Sequence, residues 1–413
     1  MQSFRTELED LNNPVVEKDI IDLEKKIRLF QDGKIDEEKF RSLRLARGVY
    51  GQRQPGVQMV RIKLPFGRIS TKQLRRIADL SDEYASRNLH LTTRQDIQIH
   101  YVSLDRTPEL WAKLEKDDIT LREACGNTVR NITASATAGV DPKEPFDVSP
   151  YAYEMFRYFL RNPVCQDMGR KFKIAFSSGD DDTAYVFIHD IGFIPKVVST
   201  PAGEKRGFKV VVGGGLGANP YLAQTAFEFL EEDKIIPYTE CILRIFDRYG
   251  ERNRRMKARF KFLLDQIGLE QLAQLVEEEK KSLRYQSYEI NREIVPLPVL
   301  ATQRQFEQVP ADTAKYQAWR DTNVFRQKQQ NYFGVYIKLL LGNLSSDHSR
   351  TLADIVESHA GDDIRTRLEA VDPFIPAGIL SIHVVPHRNV DVMFSGRLSD
   401  SVGGVADANA HLD

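Results

Sequence analysis

One stretch of this chain occurs twice, and that repeat limits what the chain can fold into more than any other feature. Val60 through Leu80 lines up with Val335 through Ile355 at a constant offset. Val60/Val335, Ile62/Ile337, Lys63/Lys338, Leu64/Leu339, Gly67/Gly342, Ser70/Ser345, Arg75/Arg350, Ala78/Ala353 and Asp79/Asp354 are identical. After a two-residue deletion, Leu91-Thr92-Thr93-Arg94 meets Ile364-Arg365-Thr366-Arg367. Self-similarity at fixed spacing marks a repeated structural unit. In the first copy Val60, Ile62 and Leu64 alternate with Arg61 and Lys63, which predicts a half-buried strand. Ser70 or Thr71 then caps a helix carrying Leu74, Ile77, Ala78 and Tyr84. Ile97, Ile99 and Tyr101 alternate again, and a short helix runs from Pro108 to Leu114. The unit is of α+β character. Two such half-units can pair their sheets about a pseudo-two-fold axis, with a site between them.

The remaining chain divides around these copies. Residues 1–50 form a helical segment, in which Val16, Ile20, Leu23, Ile27 and Phe30 share one helix face and Gly33 is the stop. The first half-domain covers 51–118. Residues 121–295 form a separate mixed unit with strands at Phe172–Phe176, Tyr185–His189 and Phe208–Val212. Its expected helices are Tyr221–Glu231, a strongly basic one at Arg248–Leu264, and Leu269–Leu283. A linker, 296–330, carries Pro296, Pro298 and Pro310. The second half-domain covers 331–368 and is expected to be incomplete, because Pro373, Pro376 and Pro386 follow where a second strand should come. Truncation or a change of reading frame would account for that. The tail 369–413 is atypical, and its small, polar end at Ser399–Asp413 is expected to be disordered.

Charge matters here because the chain is balanced, with 58 basic and 59 acidic residues. No global field draws it to nucleic acid or to an anionic membrane, so any cationic site must be a local concentration. No apolar run is long enough to span a bilayer. Met1–Asp10 is charged rather than apolar, and a cytoplasmic location is expected. Cys125, Cys165 and Cys241 are far apart and suit reduced thiols better than a disulfide framework.

Four cations on separate segments are the candidate chemistry. Arg94 follows two threonines and precedes a strand. Arg130 lies in a polar run, Asn127-Thr128-Val129-Arg130-Asn131. Lys171 and Lys173 are two apart, on one face of a strand. Each alone reads as a solvated surface charge. Together they provide forks for a planar oxyanion and ammonium groups with transferable protons. Gly213-Gly214-Gly215-Leu216-Gly217 follows a strand and is expected to precede a helix. Its backbone N–H groups could cradle an anion, although a tight turn is the plain reading, and the spacing is not that of a nucleotide loop. Arg252, Arg255 and Arg259 are spaced to share a helix face, with Lys261 nearby. That is a solvated basic face or a partner for a polyanionic cofactor.

These stretches resemble one family. Arg47–Gln54 (RGVYGQRQ), Leu91–His100 (LTTRQDIQIH), Cys125–Ile132 (CGNTVRNI), Arg170–Phe176 (RKFKIAF), Val211–Gly217 (VVGGGLG) and Arg248–Phe262 (RYGERNRRMKARFKF) are similar to motifs of siroheme-dependent nitrite and sulfite reductases, in family order. The resemblance implies an α+β fold of duplicated ferredoxin-like half-domains flanking a mixed α/β siroheme-binding domain. It implies six-electron reduction of sulfite to sulfide or nitrite to ammonia. It places Arg94, Arg130, Lys171 and Lys173 at the anion as binding groups and proton sources. Gln95, Gln98, His100, Asn131, Arg170, Gly213, Gly214 and Gly215 lie near the macrocycle, and Arg252, Arg255, Arg259 and Lys261 neutralise its carboxylates. Siroheme is the implied cofactor, together with a [4Fe-4S] cluster whose two cysteine pairs this sequence lacks. The implied donor is an external ferredoxin or a flavoprotein. The alternative is a catalytically incomplete fragment that binds siroheme or is inactive.

Overall fold

Both copies of the repeat build the same five-stranded antiparallel sheet, and each sheet takes its fifth strand from the other copy. In the first, Val49–Gly51, Val57–Ile62, Ile97–Ser103 and Asn88–Leu91 are followed at the edge by Asn343–Ser345. In the second, Val324–Arg326, Phe333–Leu340, Ile375–Val384 and Ile364–Asp372 are followed by Arg68–Ile69. The registers repeat too: Val49 faces Val60 in one copy and Val324 faces Val335 in the other. The computed structural model describes residues 4–9, 11, 13–201, 203–295, 312–329, 333–359, 364–372 and 375–384.

The repeated helix has bounds one repeat apart, Thr71–Tyr84 and Ser346–His359, and the two helices pack together. Ser70 starts the first with a capping box: its hydroxyl accepts from Gln73 N at 3.1 Å, and Gln73 Oε1 accepts from Ser70 N at 3.0 Å. Leu74, Ile77, Ala78 and Tyr84 are all buried, as their spacing predicts. One core joins both copies to the N-terminal helix Pro14–Gln31, whose Val16, Ile20, Leu23 and Ile27 face inward. Tyr101 departs from the expected alternation. It is exposed, with φ at 68°, which turns it off the sheet face.

Two boundary expectations need correction. The second copy does not stop after Arg367, because Ile364–Asp372 and Ile375–Val384 pair with each other and the latter with Phe333–Leu340. Pro376 sits at the start of its strand, where a missing N–H is tolerated. Nor is 296–330 all linker: the helix Thr313–Asn323 and the strand Val324–Arg326 belong to the repeat. Residues 296–311 and the tail 385–413, with the disorder expected there, lie outside the described residues.

The middle unit is a second core under a mixed sheet. Its order is Gln224–Glu231, Gly203–Val212, Ile191–Thr200, Ile174–Phe176, Thr133–Ala134. The first three strands are antiparallel and the last two pairings are parallel. Phe172, Phe176, Phe193, Phe208, Phe246 and Phe260 are fully buried in it, each stabilising by about 1.5–3 kcal/mol.

Three element expectations fail in this unit, each for a local reason. Tyr185–His189 is not a strand. Asp182 Oδ1 accepts from Val186 N at 2.8 Å, and Val186–Ile188 is a 3₁₀ turn. Tyr221–Glu231 is not a helix but contains the strand Gln224–Glu231. Register shifts between Thr225 and Phe227 and between Phe227 and Leu230 stretch its apolar spacing toward the helical period. The basic helix Arg248–Leu264 is two helix ends and a loop. Ile235–Tyr249 stops at Gly250, and Phe260–Lys280 starts after Arg259, kinked at Gly268.

Candidate active site

The site forms where the loop after Leu91 enters the middle unit. Thr92 closes that loop: its N–H donates to Asp96 O at 2.9 Å, and its hydroxyl accepts from Arg94 N and Asp96 N, each at 3.2 Å. Gln95, at φ 56°, clasps Ala134 as a strand would, with Nε2 to Ala134 O at 2.7 Å and Ala134 N to Oε1 at 3.0 Å. Asn131 is fully buried, and its Nδ2 donates to Leu64 O at 2.6 Å and Arg94 O at 3.0 Å. Gln95 and Asn131 therefore tie the two units together. Gln98 accepts from Arg61 Nη2 and Nε at 2.5 and 3.0 Å once its amide is oriented to do so. His100 is half-buried beside His90, their ring centroids 6.1 Å apart, and burial followed by His90 pulls its pKa below the usual value.

The four cations are divided between two cavities. The larger, of about 550 Å³, has seven cationic side chains in its wall (Arg41, Arg47, Arg122, Arg130, Arg170, Lys171 and Arg255) against two carboxylates, Glu38 and Asp167. Arg130 is anchored by Nε to Gly126 O at 3.0 Å, and burial lowers it to about 10. Arg170, Lys171 and Arg255 make no hydrogen bond or ion pair among the described residues. Burial, and then Arg130, pulls the Lys171 ammonium down to about 8.

The smaller cavity, of about 370 Å³, holds Arg94, Lys173, His189, Thr133 and Gln95. Arg94 is buried. It donates through Nη2 to the Asn131 carbonyl and through Nη1 to His189 Nε2, and burial lowers it to about 10. Lys173 Nζ has no hydrogen-bond partner among the described residues. Burial, then Arg94 and Arg259, brings it to about 7. Lys171 and Lys173 therefore do not open onto one cavity, as a shared strand face would require. They precede the strand Ile174–Phe176 rather than lie in it.

The glycine run is held from below. Arg259 grips the fully buried Asp190 in a bidentate pair, Nη2 to both carboxylate oxygens at 2.9 and 2.8 Å, and Asp190 O accepts from Gly213 N at 2.9 Å. Gly213 is at φ 84°, and a Cβ on Gly214 would lie 2.3 Å from Phe187 O. Gly215 gives its N–H to Tyr221 O. Lys261 donates to the carbonyls of Gly215, Leu216 and Asn219 at 3.3, 3.2 and 2.5 Å. The run turns into a strand rather than a helix. The basic stripe is also dispersed: Arg252 bonds Asp167 O at the surface, Arg255 lines the larger cavity, Arg259 holds Asp190 and Lys261 holds the loop.

Sequence reasoning missed His189, Asp190 and Asp96. Asp96 is 2% exposed and its Oδ1 has no partner among the described residues. Burial raises it to about 6 even though Arg61, Arg94, Lys63 and Arg130 lie near. It stands inside the LTTRQDIQIH stretch, but nothing in the sequence separates it from an exposed turn residue.

The larger cavity fits a polyanionic macrocycle such as siroheme. Its cations outnumber its acids, three of them lack partners among the described residues, and its volume is in the range of cofactor sites. An iron–sulfur cubane does not fit the thiols present. It takes four cysteine thiolates. The sequence has three cysteines, all buried, and no group of three or more metal-binding side chains occurs among the described residues. Burial raises the pKa of each thiol.

Fold and site together define a duplicated α+β protein with two neighbouring cavities lined by cationic side chains. A family profile described as "Nitrite and sulphite reductase 4Fe-4S domain" matches residues 125–283, and one described as "Nitrite/Sulfite reductase ferredoxin-like half domain" matches residues 50–117. Sulfite reductase (ferredoxin) 1 of Mycolicibacterium paratuberculosis is 33% identical over 221 residues, 54% of this chain and 39% of the relative. The assimilatory ferredoxin-dependent nitrite reductase of Haloferax mediterranei is 29% identical over 357 residues, 81% of this chain and 58% of the relative. The solved structure of Mycobacterium tuberculosis NirA protein matches with a TM-score of 0.70 at 25% identity, covering 92% of this chain and 69% of that one. The chain belongs to the nitrite and sulphite reductase family. It spans well under half the length of the Mycolicibacterium relative.

Proposed function

We propose that this chain forms the siroheme- and oxyanion-binding part of a reductase that takes sulfite to sulfide or nitrite to ammonia. The observation that carries the reading is the pair Lys171 and Lys173, without hydrogen-bond or ion-pair partners among the described residues, each beside an anchored arginine at the wall of a cavity. When bound, siroheme supplies an iron centre able to pass electrons to the anion. Arg170, Lys171 and Arg255 would hold its carboxylates at the larger cavity. Arg94 and Lys173 would orient the anion at the smaller one, and Arg130 and Lys171 add positive charge from the larger. Ammonium groups at about 8 and about 7 exchange protons readily near neutral pH, and removing oxygen as water needs such donors.

A ferredoxin donor is part of the same proposal, supported by the names of the relatives, and a flavoprotein would serve the same role. So is a cytoplasmic setting, in keeping with three free buried thiols and no described helix long and apolar enough to cross a membrane. The test is reduction of nitrite or sulfite by the siroheme-loaded protein with reduced methyl viologen. Arg130→Ala or Lys171→Ala should lower the rate far more than siroheme content. Equal losses of both would make these residues structural and defeat the reading.

A further inference from the structure

The direction of Arg94 is set by a histidine that the family motifs quoted above do not include. His189 is 8% exposed, at the turn before the strand Ile191–Thr200. Its Nδ1 is 2.8 Å from the carbonyl oxygen of Tyr185. A carbonyl can only accept, so Nδ1 carries the hydrogen and Nε2 is left as the acceptor. That Nε2 is 2.6 Å from Arg94 Nη1, which can only donate. Burial, then Arg94 and Lys173, holds the ring well below its usual pKa, which keeps the acceptor free of a proton. The turn that aims the ring is itself fixed. Tyr185 sits at φ 54°, and Asp182 Oδ1 accepts from Val186 N.

Arg94 has few other anchors. Its Nη2 donates to the Asn131 carbonyl, Thr133 Oγ1 is 3.4 Å from Nη1, and Nε is buried without an acceptor among the described residues. The strongest contact a side chain makes with this guanidinium is therefore the one from His189. An arginine already held where its charge is needed binds an anion without the cost of ordering a long side chain.

We propose that His189 is a positioning residue. By accepting from Arg94 through Nε2 it fixes the guanidinium charge at the wall of the smaller cavity, where Lys173 also ends, ready for a small oxyanion. The inference rests on reading that cavity as the oxyanion site.

The test is calorimetric titration of the purified full chain with sulfate, which does not change charge near neutral pH. His189→Gln places an amide oxygen near the Nε2 position and should stay within about threefold of the parent. His189→Asn cannot reach it and should bind about tenfold more weakly. Binding by His189→Asn as tight as or tighter than the parent would overturn the proposal. So would equal losses in both variants, which would mark a merely structural residue. Arg94→Gln separates the two levels of the argument. If it binds sulfate like the parent, or if the parent binds none, the cavity reading fails and the proposal with it.

A second measurement does not depend on the variants folding. Long-range proton–nitrogen spectra of the parent should show, among its eight histidines, one neutral ring with the hydrogen on Nδ1 that does not titrate between about pH 5 and 8. Titration of every ring in that range would overturn the proposal.

Discussion

Arg75 donates through Nη2 to Asp354 Oδ1 at 2.5 Å, and the residues one repeat away answer it, with Arg350 Nε donating to Asp79 Oδ1 at 2.9 Å. A reciprocal pair of this kind is what a two-fold axis produces: residue i of one copy meets residue j of the other, and j meets i. The same reciprocity appears in the exchanged edge strands, Asn343–Ser345 on one sheet and Arg68–Ile69 on the other. The two half-domains are therefore one intertwined body.

The reciprocal pairs are half-exposed, so each should contribute little. Arg75→Ala is expected to cost at most about 1 kcal/mol, and Arg75→Ala with Arg350→Ala about the sum of the two. Urea unfolding of the three variants measures this. A much larger loss would mean the axis is held by these charges rather than by the shared apolar core.

Asn131 is a different case. From the middle unit its Nδ2 satisfies carbonyls on two segments of the first half-domain, at a fully buried position. Asn131→Ala should cost roughly 1–3 kcal/mol, because Arg94 O loses its donor while Leu64 O keeps the one from Gly67 N. Denaturant unfolding checks it, and a neutral result would show that water replaces the amide.

Arg259 and Asp190 form the buried ion pair under the glycine run. Removing the arginine leaves an uncompensated buried carboxylate, so Arg259→Leu should destabilise by about 3–5 kcal/mol. Hydrogen exchange should speed up at Gly213, whose N–H is held by Asp190 O. Unchanged protection there would contradict the link between the pair and the loop.

Two groups give pH signatures of opposite sign. Asp96 rises from 3.8 to about 6 on folding, so its contribution to stability is present below about pH 4 and lost as pH rises through about 6. Asp96→Asn should therefore match the parent near pH 4 and exceed it above pH 6 by on the order of 2 kcal/mol. Lys173 falls from 10.5 to about 7, so its contribution is present above about pH 10.5 and lost as pH falls through 7. Lys173→Met should raise the melting temperature by about 2–4 °C at pH 6 and not at pH 10.5. Thermal scans across pH test both, and a gain independent of pH would contradict the assignment.

How far the sequence could be read follows from where its signals are local. The duplication was legible because identities such as Gly67/Gly342 and Arg75/Arg350 recur at fixed spacing, and the helix face Leu74, Ile77, Ala78 and Tyr84 followed from period alone. The exchange of edge strands was not legible, because Asn343–Ser345 is too short to carry a pattern. The strand Gln224–Glu231 was misread because its bulges imitate a helix. The basic stripe was misread because Gly250 ends the helix that would have aligned Arg252, Arg255 and Arg259. The resemblance named Arg94, Arg130, Lys171 and Lys173. It did not reveal that they divide between two cavities, because Lys171 and Lys173 precede the strand Ile174–Phe176 and so do not keep the shared face that their spacing predicts.

The central claim is that the larger cavity holds siroheme. Its most direct test is the absorption spectrum of this chain purified anaerobically from cells that also make siroheme. A siroheme Soret band at near one equivalent is expected, weakened when Arg170, Lys171 and Arg255 are replaced together. A folded protein without a chromophore would contradict it.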